Sequence, residues 1–308
     1  MSHFIMKIKI VIVFIICGLS AYAQQEPQYT QYMYNMGLVN PGYMINEPSI
    51  IQVGSLYRTQ WVGIDGAPKT ANLFANIPLS EKIELGVNYL NDNIGGNINL
   101  SENVFNINTA YKINIKKDLN LSFGIKMGFD HINFSSLGSN VSGDPLFENT
   151  NKTVINVGAG VFLFNDNYYV GLSSPNLIPS DLNVNSGVLY KDKPHAFLIG
   201  GYVFDINSAL KLKPSTVVKY VTGAPLSFDV SANALYLNAF ELGISYRYQD
   251  AISGLAGVNI TPNLRVGYAY DFNTSELNNY NNGSHEFILL YKFDVLGLNK
   301  KYSSPRFY

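Results

Sequence analysis

The sequence predicts an all-β chain: a membrane-spanning antiparallel barrel of about fourteen strands. Three observations predict it. First, the dominant period is two: in Leu121-Ser122-Phe123-Gly124-Ile125-Lys126-Met127-Gly128-Phe129 every odd position is large and apolar, and every even one is small, polar or charged. Ile83–Tyr89, Phe240–Tyr248 and Leu264–Phe272 repeat the pattern. Because strand side chains point alternately to opposite faces, each segment has one greasy and one wet face. Second, the greasy faces carry no charge in these segments, whereas Lys or Arg facing lipid costs about 2–4 kcal/mol at mid-bilayer. Third, the segments approach the roughly 9–11 residues that cross a bilayer as a tilted strand. A soluble β-sandwich also alternates, but it does not call for Tyr246, Tyr248, Tyr268, Tyr270 and Phe272 gathered at segment ends, as an interfacial girdle does.

Residues 1–23 read as a cleaved signal peptide: Lys7 and Lys9 form a basic start, Ile10–Ile16 an apolar core, and Ala21-Tyr22-Ala23 a small-x-small cleavage site. Cys17 lies within this leader, so cleavage leaves no thiol for a disulfide or a nucleophile. Residues 24–48 lack alternation but are rich in Gln, Asn, Met and Tyr (Tyr29, Tyr32, Tyr34, Tyr43), with a turn signal at Asn40-Pro41-Gly42. They are either a periplasmic lead or a lumen plug; the plug is favoured, because so aromatic a segment seeks a surface to cover.

Strands are expected at 49–62, 70–79, 82–91, 102–114, 119–130, 153–164, 168–174, 195–204, 208–221, 225–236, 239–249, 252–260, 263–272 and 284–293, making 49–293 the barrel. Connections after even-numbered strands are tight, and those after odd-numbered strands include the long ones: 91–101, 131–152, 173–194 and 273–283. Outer-membrane barrels combine short periplasmic turns with long external loops, so this parity puts both termini in the periplasm. The last strand, His285–Phe293, is apolar on both faces, and residues 294–308 are expected to form a periplasmic tail, either an inert extension or a docking peptide with Arg306 and Phe307 as candidate docking residues.

Little in the sequence points to catalysis. His131, His195 and His285 are far apart and lack metal-ligand spacing, and Gly158-Ala159-Gly160 lacks the basic residue of a phosphate loop. No cofactor is expected. A formal charge of −1 argues against a nucleic-acid partner. Glu84, Lys112, Lys126, Asp130, Lys219, Asp229, Glu241, Arg247, Arg265 and Asp271 fall on wet faces, and their mixed signs favour an internal neutralising network over an ion-selective lining.

Three blocks carry a family resemblance: Gln28–Asn35 continuing to Val39-Asn40-Pro41-Gly42-Tyr43; Tyr57–Thr70, with the only Trp; and Ser304-Pro305-Arg306-Phe307-Tyr308. Together they resemble the type IX secretion system membrane proteins of the PorP/SprF family, with Met36-Gly37 where members often carry Pro-Leu. The resemblance implies a non-enzymatic outer-membrane barrel that works with other type IX secretion components in Bacteroidota. It also implies help with export or surface attachment of secreted cargo, including large gliding-type adhesins. Candidate partner-binding residues are then Gln31, Tyr32, Asn35, Asn40 and Pro41 in the first block, and Arg58, Gln60, Trp61, Asp65, Pro68 and Lys69 in the second. A passive porin, and after it a barrel hydrolase, are the alternatives.

Overall fold

The computed structural model describes residues 28–96, 98–136, 149–184 and 187–295. The leader at 1–23 and the tail residues Arg306 and Phe307 lie outside them. The strands are β1 (Ile50–Thr59), β2 (Lys69–Pro78), β3 (Ile83–Gly95), β4 (Ile98–Lys116), β5 (Leu119–Ser136), β6 (Thr150–Phe164), β7 (Tyr168–Ser174), β8 (Ser180–Val184) and β9 (Gly187–Asp192). They continue as β10 (His195–Tyr202), β11 (Phe204–Asp205), β12 (Leu210–Val221), β13 (Ser227–Tyr236), β14 (Phe240–Arg247), β15 (Ala251–Asn259), β16 (Leu264–Asn273) and β17 (Ser284–Asp294).

Fourteen of these are the staves of a closed antiparallel barrel, each paired with its neighbours in sequence. Closure runs from Ile50↔Asp294 to Thr59↔His285, between β1 and β17. It removes the sheet edges that lipid could not hydrogen-bond. The short β11 extends the β10 side, and β8 pairs with β9 as a hairpin in the connection between β7 and β10.

The alternation becomes inside and outside as expected. Ile125, Met127, Leu242 and Ile244 are each about two-thirds exposed on the outer surface. Ser122, Lys126, Glu241, Arg265 and Asp271 are buried inside. Aromatic pairs mark both rims: Phe228–Tyr248 and Tyr268–Phe287, each 4.9 Å between ring centres, at the long-loop end, and Tyr202–Phe204 (4.4 Å) and Tyr291–Phe293 (4.5 Å) at the tight-turn end. Short polar side chains build the tight turns. Asn165 Oδ1 accepts from the N–H groups of Asn167 and Tyr168, Asn207 Oδ1 from those of Ala209 and Leu210, and Thr261 Oγ1 from those of Asn263 and Leu264.

Three expectations are corrected. The connection at 91–101 is largely strand: β3 and β4 stay paired up to Gly95↔Asn99. β5 likewise runs on to Ser136, paired with Ile98. These strands reach 13, 19 and 18 residues and so stand well above the membrane. Their upper outward positions, such as Asn91, Asn93, Asn103 and Asn133, are polar, so greasy alternation stops although pairing does not. Side chains continue the ladder there, with Tyr89 and Asn91 both donating to Asn103 at 2.9 Å. At the other end of the count, β1 stops at Thr59 rather than at residue 62, because Trp61 takes a left-handed φ of 46° and turns the chain.

These two regions respond differently to charge. Ile125→Arg is expected to destabilise the barrel in lipid vesicles by about 2–4 kcal/mol, whereas Asn93→Arg, in the polar extension, leaves it within about 0.5 kcal/mol. Denaturant titrations of both variants check this, and equal effects would argue against the membrane position assigned here.

Candidate functional site

Inside the barrel lies the chain's own N-terminal segment. From Tyr29 to Ile45 nearly every residue is buried, with Met33 and Met36 wholly so. It is a compact run of turns: a 3-10 turn at Tyr32–Tyr34, a single helical turn at Met36–Val39, and a turn in which Asn40 Oδ1 accepts from the N–H of Gly42 (2.8 Å). Such a run leaves many main-chain groups without partners, and inward side chains of the wall supply them.

The strongest anchor joins β1, β16 and β17. Glu286 accepts the N–H groups of Thr30 (3.0 Å) and Gln31 (2.7 Å), one on each carboxylate oxygen. Thr30 Oγ1 donates to Asp271 at 2.7 Å. Arg58 lies between the two acids, with Nη2 2.7 Å from Asp271 and Nη1 3.2 Å from Glu286. All three charged side chains are at most 2 % exposed. A second anchor joins β14 and β16 to the plug: Tyr34 donates to Glu241, Arg265 donates to the Tyr34 hydroxyl (2.7 Å) and pairs with Glu241, and the guanidinium sits 4.6 Å from the Tyr34 ring centre.

Anchors continue around the wall. Asn35 donates to Asn72 (2.7 Å) on β2, Asn108 on β4 donates to the Gly37 carbonyl (2.8 Å), and Ser173 on β7 donates to the Val39 carbonyl (2.9 Å). Asn40 donates to the Val161 carbonyl (3.1 Å) on β6, Ser122 on β5 to the Gly42 carbonyl, and Glu84 on β3 accepts the N–H of Ile45 (2.9 Å). Packing is close where the wall has no side chain. A Cβ at Gly124 would stand 2.0 Å from the Pro41 carbonyl oxygen, and one at Gly160 2.1 Å from Asn40 Oδ1. Tyr43 meets Phe162 edge-on at 5.6 Å, in a core that includes Phe164 and Tyr169.

The structure therefore divides the candidate residues. Gln31, Tyr32, Asn35, Asn40 and Pro41 come together inside the lumen, and Arg58 joins them instead of facing outward. Pro68 is buried in the β1–β2 loop. Of the second block, Asp65 is exposed and Gln60 and Trp61 half-buried on that loop, and Lys69 is exposed at the start of β2. Glu286 is the anchor that sequence reasoning missed. Parity in 285–293 puts it on one face with Ile288 and Leu290, and a carboxylate among aliphatic neighbours on an inward face signals a protein-filled interior. His131 and His285 bond to Thr153 (2.8 Å) and Tyr268 (2.7 Å), and no His, Cys, Asp and Glu group suited to a metal occurs among the described residues.

Removing the Arg58 charge leaves two buried carboxylates uncompensated, at a cost of about 3–5 kcal/mol. Arg58→Met is expected to loosen the plug. A cysteine placed at Met36 then alkylates readily, while the same cysteine in the Arg58 background stays protected. Equal protection in both backgrounds would show that this cluster does not hold the plug.

No curated protein matches the chain in sequence. Among solved structures it resembles the toluene transporter TbuX of Ralstonia pickettii (TM-score 0.51, 9 % identity, covering 84 % of this chain and 93 % of that one). It resembles a FadL homologue of Pseudomonas aeruginosa to the same degree (TM-score 0.51, 12 % identity, covering 88 % of this chain and 95 % of that one). At such identities the likeness concerns the barrel fold alone, and it accords with an integral outer-membrane protein. The family model for the type IX secretion system membrane protein PorP/SprF matches residues 21–291, and the chain belongs to that family of outer-membrane type IX secretion barrels.

Proposed function

We propose that the protein is a non-enzymatic partner-holding barrel, which aids the export or surface attachment of secreted proteins, large gliding-type adhesins among them. The observation that carries this reading is the plug. A lumen bonded to its own N-terminal segment from β2, β3, β4, β5, β6, β7, β14, β16 and β17, with Arg58 of β1 pairing two of the acids that hold it, is built to stay closed. That separates it from a passive porin, whose work needs an open aqueous channel.

In this reading the tight turns face the periplasm, the long loops face the exterior, and lipid surrounds the greasy band. Gln60, Trp61 and Asp65 on the first loop, with Lys69 at the start of β2, form the external contact surface, and Pro68 stiffens the loop from within. The tail residues Arg306 and Phe307 act as a periplasmic docking peptide for other secretion components. The plug residues Gln31, Tyr32, Asn35, Asn40 and Pro41 serve the partner indirectly, by sealing and shaping the barrel.

Purification from native membranes under mild conditions is expected to recover secretion components or a secreted cargo protein with the barrel. The same preparation in planar bilayers is expected to give no steady conductance. Recovery of the barrel alone, with large steady currents, would establish the porin reading instead.

A further inference from the structure

The plug has a direction. Its upper part is held at the long-loop end of the barrel, where Thr30 and Gln31 bond Glu286 and Thr30 also bonds Asp271. Both acids stand near the long-loop ends of their strands, β17 and β16. Gly37 lies halfway down, bonded to Asn108 in the middle of β4. Ile45 and Asn46 reach the tight-turn end, where they meet Glu84 near the start of β3 and Lys112 near the end of β4. The Ser49 carbonyl then accepts from the N–H of Val295 (3.0 Å), just past β17, and β1 begins. From Thr30 to Ser49 the chain thus descends the lumen once, from the long-loop end to the tight-turn end.

Strand parity decides where β1 starts, and it says nothing of where the chain before it has been. Below Gln28 the way back to the periplasm is shut. The space beside Tyr32, Asn35, Leu56 and Asn72 measures about 10 Å³, room for one water. Met33 and Met36 are wholly buried, and the wall at Gly124 and Gly160 has no room for a Cβ against the plug. A second pass of backbone does not fit through an interior packed this closely. In the other direction there is room. Gln28 is only half-buried, and with Tyr29, Asn176, Ser227 and Arg247 it lines a cavity of about 120 Å³ at the long-loop end. That end also lies beside the first loop, because the N–H of Trp61 donates to Ser284 (3.1 Å), two residues before the Glu286 that holds the plug.

We propose that the plug is threaded with its amino end outward, so that the amino terminus of the mature chain is displayed on the cell surface and adjoins the contact surface of the first loop. The side that counts as outside rests on the orientation given under the proposed function, whereas the threading rests on the bonds and the packing. The test uses the full chain in its own cells, in a Cys17→Ala background with one further substitution each: Gln28→Cys, Pro48→Cys, Asp65→Cys on the first loop, or Asp166→Cys in the tight turn after β6. Pro48, Asp65 and Asp166 are exposed. A membrane-impermeant maleimide is added to intact cells, and to cells whose outer membrane has been opened. Heat-modifiable gel mobility checks that each variant is a folded barrel. Gln28→Cys is expected to label on intact cells as Asp65→Cys does, and Pro48→Cys and Asp166→Cys only after opening. An epitope inserted between Gln25 and Glu26 is expected to bind its antibody on intact cells. Labelling of Asp65→Cys on intact cells, with Gln28→Cys and the epitope reached only after opening, overturns the proposal. Labelling of Pro48→Cys and Asp166→Cys on intact cells, with Gln28→Cys and Asp65→Cys silent, reverses the barrel and overturns it as well. Surface labelling of Gln28→Cys in a protein that recovers no secretion partner supports the threading and removes the role proposed above.

Discussion

The contact on which the rest of the structure depends is the Glu286 carboxylate lying under two plug N–H groups and beside Arg58. An inward face carrying acids and bases has two physical solutions. Water can hydrate it, giving an open pore, or protein can satisfy it, giving a filled one. Burying ions is expensive unless each gains both a counter-charge and hydrogen bonds. Here Arg58 supplies the charge to Glu286 and Asp271, and Thr30 and Gln31 supply the bonds. Neither the wall nor the plug is complete alone, so the ionised lumen and the N-terminal segment form one construction.

That construction explains features of the wall that a membrane alone does not demand. Inward glycines at 124 and 160 admit the Asn40–Gly42 turn to distances at which any Cβ would collide. Ile288 and Leu290 face inward, where a water-filled lumen would favour polar groups, because their surroundings are the plug's own core. The two apolar faces of the last strand thus have separate causes: Phe287 and Leu289 meet lipid, while Ile288 and Leu290 meet protein.

Much of this was legible in the sequence. Alternation fixes faces: Glu84, Lys112, Glu241, Arg265 and Asp271, which bond the plug, all stand on wet faces by parity. The tight turns announced themselves through Asn165, Asn207 and Thr261, whose short side chains bond the next main-chain N–H groups. What was not legible fell into two kinds. Above the membrane the strands of the tall wall lose their greasy face, so Asn91–Ser101 reads as loop although its pairing is unbroken. In the second kind, partners far apart in sequence decide the role. Nothing near Arg58 shows that its acids are Asp271 and Glu286, more than two hundred positions away. Sequence alone therefore groups Arg58 with the other candidate partner-binding residues of its block.

The same block gains a different meaning once its neighbours are known. The first loop is braced from both sides: Val62 exchanges bonds with Gly283 (2.9 Å) and Asn282 (2.7 Å) beside β17, and Gly66 accepts from the N–H of Gly95 (2.9 Å) at the top of the tall β3–β4 hairpin. Gly66 has a left-handed φ of 75°, and a Cβ there would lie 2.5 Å from the backbone of that hairpin, so no other residue fits both demands. A loop stitched to the closing strand on one side and to the tallest wall on the other has little freedom to rearrange. Its root is Arg58, inside the lumen and holding the plug, and its tip is Asp65, exposed beside Gly96. A partner pressing on the tip would push on a strut whose other end is the plug's main anchor. The block therefore joins the outer surface and the sealed interior in a single rigid hairpin.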